Sequence, residues 1–398
     1  MTLVARTTRL LVVALLGALP ASAVDVEVTR LDGHTVRGRM VAVTSRVVLE
    51  TPQGKAEVAW PDVLSVRRLD PRKPTSAPVA AEEPLRIELA DGSLFSGRIT
   101  NASAEELVVR LWGSRTCRLA ADAVRAIVST SASDAARREI TAAQQSSEES
   151  QDVAIVARGE DVVVLRGTVK RIDPQRVLFN WSGREVALPW ERVGGLVFAR
   201  PTPRGASCII TLLDGDVFAG RVAAGDAESL TLQSGVFDEL VLPWSRVERI
   251  DCRSERLVFL SDLEPRHYEF HPFFDKHWDF ARDKTLTGKP IQLGGRRYAK
   301  GITMHSRAGL AYRLDGAFRQ FAAEAGIVDE MDGRGCVALR VIGDGEVLWE
   351  AAGVRGGEPP RQVLVDIGGI EELVLIVDYD QDLDLSDHAC WAFARLIR

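Results

Sequence analysis

Apolar and polar residues alternate along most of this chain. Leu85, Ile87 and Leu89 take turns with Arg86 and Glu88, the period-two pattern of a half-buried strand. Asp91-Gly92 follows, then a second alternating run entered through Gly97. The same order recurs elsewhere. Residues 26–69 and 208–252 each open on an alternating strand, turn at Asp32-Gly33 or Asp214-Gly215, and continue through Gly38 or Gly220. They close on Trp60/Val63 and Trp244/Val247, whereas the copy at 85–130 has Ala121 in place of the Trp. A further copy at 152–199 keeps Gly167 and Trp190/Val193, with Gly159-Glu160 at its first turn. Asp-Gly supplies the positive φ of a tight hairpin. The second glycine predicts a bulge or sharp bend where a short sheet curls on itself. The spacing predicts a mainly β chain opening with four repeats, at 24–69, 85–130, 152–199 and 205–253.

The order of strand, glycine turn, bent second strand and closing strand resembles the Sm-like and SH3-like small barrels. The resemblance is one of pattern and implies four small β-barrels serving as a stalk or scaffold; the RNA-binding residues of Sm proteins are not evident. Two linkers punctuate the series. Residues 70–84 hold Pro71, Pro74, Pro78 and Pro84 and read as a stiff polar spacer. Residues 131–151 are rich in Ser, Ala, Gln and Glu, and read either as a short helix around Ala135 to Gln145 or as disorder.

The N-terminus has its own pattern. Arg6 and Arg9 precede an uncharged apolar run from Leu10 to Leu19, and Ala21-Ser22-Ala23 follows Pro20. This is the layout of a signal peptide over residues 1–23, cleaved after Ala23. The run falls short of the roughly 20 residues that span a bilayer. The expectation is a secreted, periplasmic or cell-surface protein with no membrane span. The formal net charge of −6 argues against a nucleic-acid partner, because phosphate binding wants a basic surface. The 5 Cys show no C-x-x-C and no metal-ligand spacing.

From about residue 256 the repeat pattern stops. His267, His271, His277, His305 and His388 gather here, with Trp, Asp and Phe. Val337, Leu339 and Val341 alternate with polar or small residues, Asp344-Gly345 turns the chain, and Val347 and Trp349 return. Val363, Val365 and Ile367 predict another strand, and Leu373, Leu375 and Val377 a further one. Many short strands with glycine turns mean a β-sandwich.

Five ordered segments over residues 256–398 resemble the NPCBM family of carbohydrate-binding modules, which occur attached to glycosidases and other exported proteins. They are Leu260-Ser-Asp-Leu-Glu-Pro265; Arg282-Asp283-Lys284 with Gly288 to Gly295; Tyr298-Ala-Lys-Gly-Ile-Thr-Met-His305; Gly326 to Glu330 with Gly333-Arg-Gly335; and Asp387-His-Ala-Cys-Trp-Ala392. The sequence departs from the family at Val328, Cys336 and Cys390, and in the long aromatic loop His271 to Trp278. The resemblance implies a galactose-binding-like jelly roll that binds a glycan or polysaccharide.

Sugar recognition needs a flat apolar face for the ring's C–H groups and planar polar groups for its hydroxyls. The candidates are His277, Trp278, His305, Tyr379, Asp387 and His388. His305 reads equally as a buried imidazole, and Tyr379 shares the parity of Leu373 and Val377. Trp391 reads as core. Two acidic turns, Asp329, Glu330 and Asp332, then Asp382 and Asp384 within a longer acidic run, offer the hard oxygens a structural calcium takes. No nucleophile elbow, H-E-x-x-H or P-loop is found, so the chain reads as non-catalytic. The alternatives are a cell-envelope scaffold whose jelly roll binds protein and, after it, a glycoside hydrolase accessory subunit or enzyme.

In small barrels of this kind the first and last strands of a unit are antiparallel neighbours. Cys208 opens the first strand of the repeat at 205–253 and Cys252 ends its last, so the two are expected to face each other as a disulfide. A reduced pair of small buried residues is the equal alternative. Cys336 with Cys390 is a second, weaker pair.

Overall fold

The computed structural model describes residues 24–70, 85–103, 105–146, 150–158, 161–199, 201, 205–272, 277–381 and 383–398. The expected leader at 1–23, nearly all of the proline-rich linker, the Gly159-Glu160 turn and Asp382 lie outside the described residues. The chain forms two compact units. One comprises residues up to Glu27, Arg37–Trp60 and Arg67–Ile250; the other comprises Val28–Val36, Pro61–Val66 and Asp251–Arg398.

Along the chain, four successive runs of five strands precede residue 253, each with a 3-10 turn before its fifth strand. The third run shows the logic. Asp152–Arg158 pairs with Asp161–Ile172, which pairs onward with Arg176–Trp181, and Arg184–Pro189 follows. After the turn Trp190–Arg192, Val193–Val197 returns to pair with Asp152–Arg158. The long second strand therefore serves the first strand with one half and the third with the other. Gly167 sits at the changeover, where a Cβ would lie 2.0 Å from the Asn180 carbonyl oxygen. Gly38, Gly97 and Gly220 stand at the same place in the other runs, with Cβ clashes at 2.6, 2.4 and 2.5 Å. Each second strand then bulges two to four residues on, between Met40 and Ala42, Ile99 and Asn101, Val169 and Arg171, or Val222 and Ala224. A bulge bends a strand and increases its twist, so each glycine admits the close approach that the bend creates. Trp190 and Trp244 donate their indole N–H groups to the carbonyls of Asp173 and Asp226 at 2.9 Å, tying the 3-10 turn to the loop after the second strand.

The stretch 131–151 contains a helix, Asp134–Gln145, capped by the Ser133 hydroxyl accepting from the Ala136 amide. Ala136, Ile140 and Ala143 pack on Ala126, Val153, Ile155 and Val197. These positions lie on one helical face. Gly195 leaves the room for Ile140, whose Cδ1 would stand 2.5 Å from a Cβ there.

In the fourth run the first and last strands, Cys208–Leu212 and Val247–Cys252, pair with each other. Cys208 is buried and Cys252 half-buried. Cys336 and Cys390 are buried.

The C-terminal region is a β-sandwich. One sheet runs Ala281–Arg282, Gly301–His305, His388–Ile397, Gln320–Ile327, Arg361–Asp366, with Leu257–Phe259 also on the strand His388–Ile397. The other runs His267–Phe270, Ala308–Arg313, Glu372–Tyr379, Cys336–Gly343, Glu346–Arg355. The predicted Asp344-Gly345 hairpin has φ of 48° and 88° at its two central residues, which is the primed geometry that suits strand twist. Leu310, Tyr312, Leu339, Val341, Leu373, Leu375 and Val377 face Trp391, Ala389, Phe321 and Val363 across the core. Trp391 is fully buried, as its place in a closing strand predicts. Truncating it to Ala would cost about 3–5 kcal/mol.

The strand His388–Ile397 is covered on both faces. Ala389 and Trp391 point into the sandwich, while Cys390 and Ala392 join Ile291, Leu293, Tyr298 and Val328 in a smaller cluster under the hairpin Ile291–Tyr298. At Phe393 the backbone turns to φ 54°, and the ladder with Gln320–Ile327 gains one residue there. The parity flips, so that Ala394 and Leu396 face the core in their turn.

An ion network pins the sandwich. The Lys300 ammonium donates to Asp262 at 2.5 Å and to Asp283 at 2.9 Å, and the other Asp283 oxygen accepts from the Gly301 amide at 3.1 Å. Burial pulls the Asp283 carboxyl upward, but the Lys300 ammonium and the Gly301 amide help to outweigh it and hold it below the ordinary aspartate range.

Two outcomes are expected. Gly167→Ala should destabilise the repeat by roughly 1–3 kcal/mol, the cost of overpacking against a fixed backbone oxygen. Thermal melts of variant and parent check this, and superimposable curves contradict it. For Asp283 the depressed carboxyl contributes stability above its unfolded value, lost as pH falls through the folded one. The melting temperature of the sandwich should therefore fall below about pH 4, and Asp283→Asn should lower it at neutral pH while flattening that acid limb. A pH series of melts reads both.

Candidate functional site

Strand register builds the site. Gly301–His305 and His388–Ile397 are antiparallel, and His305, the last residue of one, pairs with His388, the first of the other. Their rings lie 5.4 Å apart at one rim of the sandwich. On the facing sheet Phe270 pairs with Ala308, and Ala308 with Val377, so Phe270 ends its strand near the same rim. The chain continues from Phe270 into the loop that returns at His277 and Trp278.

Ring contacts gather these residues. The Trp278 indole stacks flat on His305, centroids 5.4 Å apart and planes 6° from parallel. It meets His388 edge-on at 4.9 Å. Phe270 stands edge-on to His277 at 5.2 Å and to His305 at 6.0 Å. The returning loop is held at its root: the Tyr268 hydroxyl donates to the Trp278 carbonyl at 2.8 Å, and Phe280 packs on the Tyr268 ring. Burial pushes the Tyr268 phenol up, so it stays a donor at any physiological pH. His277 is exposed and pairs with Asp279 at 3.3 Å.

Four of the six residues proposed from sequence therefore share one cluster, in two tiers. His305 and His388 are only 6% and 7% exposed and form its floor. Trp278, half-buried, and His277, exposed, form its upper surface. Asp387 departs from the expectation of a direct sugar contact. It is fully buried, and its Oδ1 accepts from the Cys336 amide at 3.0 Å, joining the closing strand to the other sheet. Tyr379 ends its strand opposite the buried Val337 and is itself 38% exposed, so it stands on the rim rather than inside the sandwich. Phe270 was missed. Its signal was parity, since Tyr268 and Phe270 share one face of a short strand while His267 and Glu269 take the other.

The residues of the first acidic turn have partners within the domain. Asp329 accepts from the Gly294 and Gly295 amides at 2.7 and 2.8 Å. Glu330 accepts from the Thr287 hydroxyl at 2.7 Å and lies 3.5 Å from the Lys289 ammonium. Burial alone would raise the Glu330 carboxyl, but those hydroxyl and ammonium partners hold it low. Asp332 is exposed with φ 50°. Asp329 and Glu330 thus brace the segment 285–295 against the turn at 329–332. Asp384 is half-buried. Among the described residues no three His, Cys, Asp or Glu side chains form a group that could hold a metal ion.

The chain is similar to several known proteins. An Akkermansia muciniphila protein named alpha-1,3-galactosidase B is 31% identical over 120 residues, covering 27% of this chain and 14% of that protein. The chain thus spans a small part of that relative's length. Among solved structures, a CBM51 from Clostridium perfringens GH95 in complex with methyl-galactose is 26% identical, covers 35% of this chain and 99% of that one, and has a TM-score of 0.32. The CBM51-2 and INT domains of Clostridium perfringens ZmpB, in complex with GlcNAc, are 23% identical and cover 43% of this chain and 36% of that one, with a TM-score of 0.34. The family model of the NPCBM/NEW2 domain matches residues 256–397, and the C-terminal sandwich is accordingly an NPCBM/NEW2 domain.

Proposed function

We propose that this is an exported, non-catalytic protein that binds a glycan through residues 256–398, on the surface around Trp278 and His277. The observation that carries the reading is the flat stack of Trp278 on His305. A ring fixed in this way presents a rigid apolar surface at little entropic cost. His277, beside it, supplies polar atoms for hydroxyls. The four five-stranded runs support the second half of the reading, in which small barrels of the Sm-like or SH3-like kind carry the module. Their glycines and bulges fall at equivalent positions, so one bending device is used four times. Export rests on the charged, apolar and small-residue order of residues 1–23.

A shallow single site gives weak binding, with Kd in the high micromolar to millimolar range. A glycan array followed by calorimetry on the full chain tests this. Trp278→Ala should weaken the bound glycan by roughly tenfold, the loss of one aromatic platform, with a melting temperature close to the parent's. An array without a hit, together with a protein partner captured on the same face, favours the scaffold reading instead. Protein recovered from the exported fraction of its host should begin at Val24; a chain that retains residues 1–23 contradicts export by cleavage.

A further inference from the structure

Two glycine-rich turns of the sandwich run against each other. A Cβ on Gly356 would lie 2.2 Å from the Arg334 carbonyl oxygen, and one on Gly335 would lie 2.6 Å from the Ser386 oxygen. Main chain therefore packs on main chain, and only a few long side chains rise from it. The result is an open groove of ≈ 690 Å³ with Arg334, Arg355, Glu358 and Leu385 on its walls. This is the size of a small-ligand site. It shares no residue with the Trp278 cluster.

Both arginines are steadied from one side. The Arg334 Nε donates to the Met331 carbonyl at 3.0 Å, and an Arg355 Nη donates to the Gln381 side chain at 2.6 Å. Each tether uses one of five guanidinium N–H groups, so the heads are oriented without being consumed. Glu358 is held by Arg361 at 2.9 Å, which offsets its charge and leaves it an acceptor. Leu385 is 66% exposed.

We propose that this groove is an anionic-sugar subsite, taking a glycan that carries a carboxylate or a sulfate ester. Guanidinium forks match the planar oxygens of such groups better than they match neutral hydroxyls. Glu358 accepts from neighbouring hydroxyls, and Leu385 covers a C–H face. The inference rests on the reading of this domain as a glycan binder and adds its class of ligand.

Calorimetry on the full chain, with matched probes, tests it. One pair is an oligogalacturonate and its methyl ester; the other is a sulfated galactan oligosaccharide and its desulfated form. The charged member of at least one pair should bind about tenfold tighter, with the advantage shrinking as salt is raised, and the pair that responds identifies carboxylate or sulfate. Arg334→Ala with Arg355→Ala should bring the charged probe to the level of the neutral one at unchanged melting temperature. The double Lys variant, which keeps the charge and loses the fork, should fall between. Equal affinities within both pairs, or a charged preference that survives the double Ala variant, overturn the subsite while leaving the glycan reading intact. Failure of all four probes and of every arrayed glycan overturns both.

Discussion

The strand His388–Ile397 is the constraint on which the rest of the sandwich depends. It is buried on both faces, so every one of its side chains must suit a packed environment. Ala, Cys and Ala face the small cluster or the core around a single Trp, and large residues would not fit at those places. The positive φ at Phe393 resets which face is which, and so lets ten residues serve two clusters and then the core again. Because its first residue pairs with His305, the same strand also decides where the ring cluster forms.

The rim shows how polar groups are made safe before they become useful. A buried carboxylate is costly unless it is bonded. Asp387 meets that demand by accepting the Cys336 amide, which links one sheet to the other just ahead of His388. Asp329 and Glu330, half-buried, bond to amides, a hydroxyl and an ammonium from the segment 285–295. Asp329, Glu330 and Asp387 are thus bonded to other segments of the domain. The side chains left to face solvent, His277, part of Trp278, and Arg334 with Arg355 on the groove, lie on loops, turns or a strand end.

The four five-stranded runs before residue 253 solve a different problem with one device. A short sheet that curls on itself must pass one strand over its neighbour at a distance no side chain permits. A glycine at the crossing, followed at a fixed interval by a bulge, is the answer in all four runs. The helix Asp134–Gln145 is an addition to this plan, and its apolar face has meaning only against strands of the second and third runs.

Whatever depends on neighbours in sequence was settled by sequence alone. The alternation of Val337, Leu339 and Val341, the Asp344-Gly345 hairpin, the four changeover glycines and the buried Trp391 are local rules of pleat, turn and chirality, and they hold in the structure. Tertiary structure decided whatever depends on register between distant strands. No local pattern states that His305 faces His388 across more than eighty residues, or that Asp387 turns inward to an amide fifty-one residues away. Nor does one state that two glycine turns, around Arg334 and Arg355, close to form a groove. The physical reason is the period of the strand: one bulge, such as that at Phe393, exchanges its faces, and only the packed partner shows where the exchange occurs.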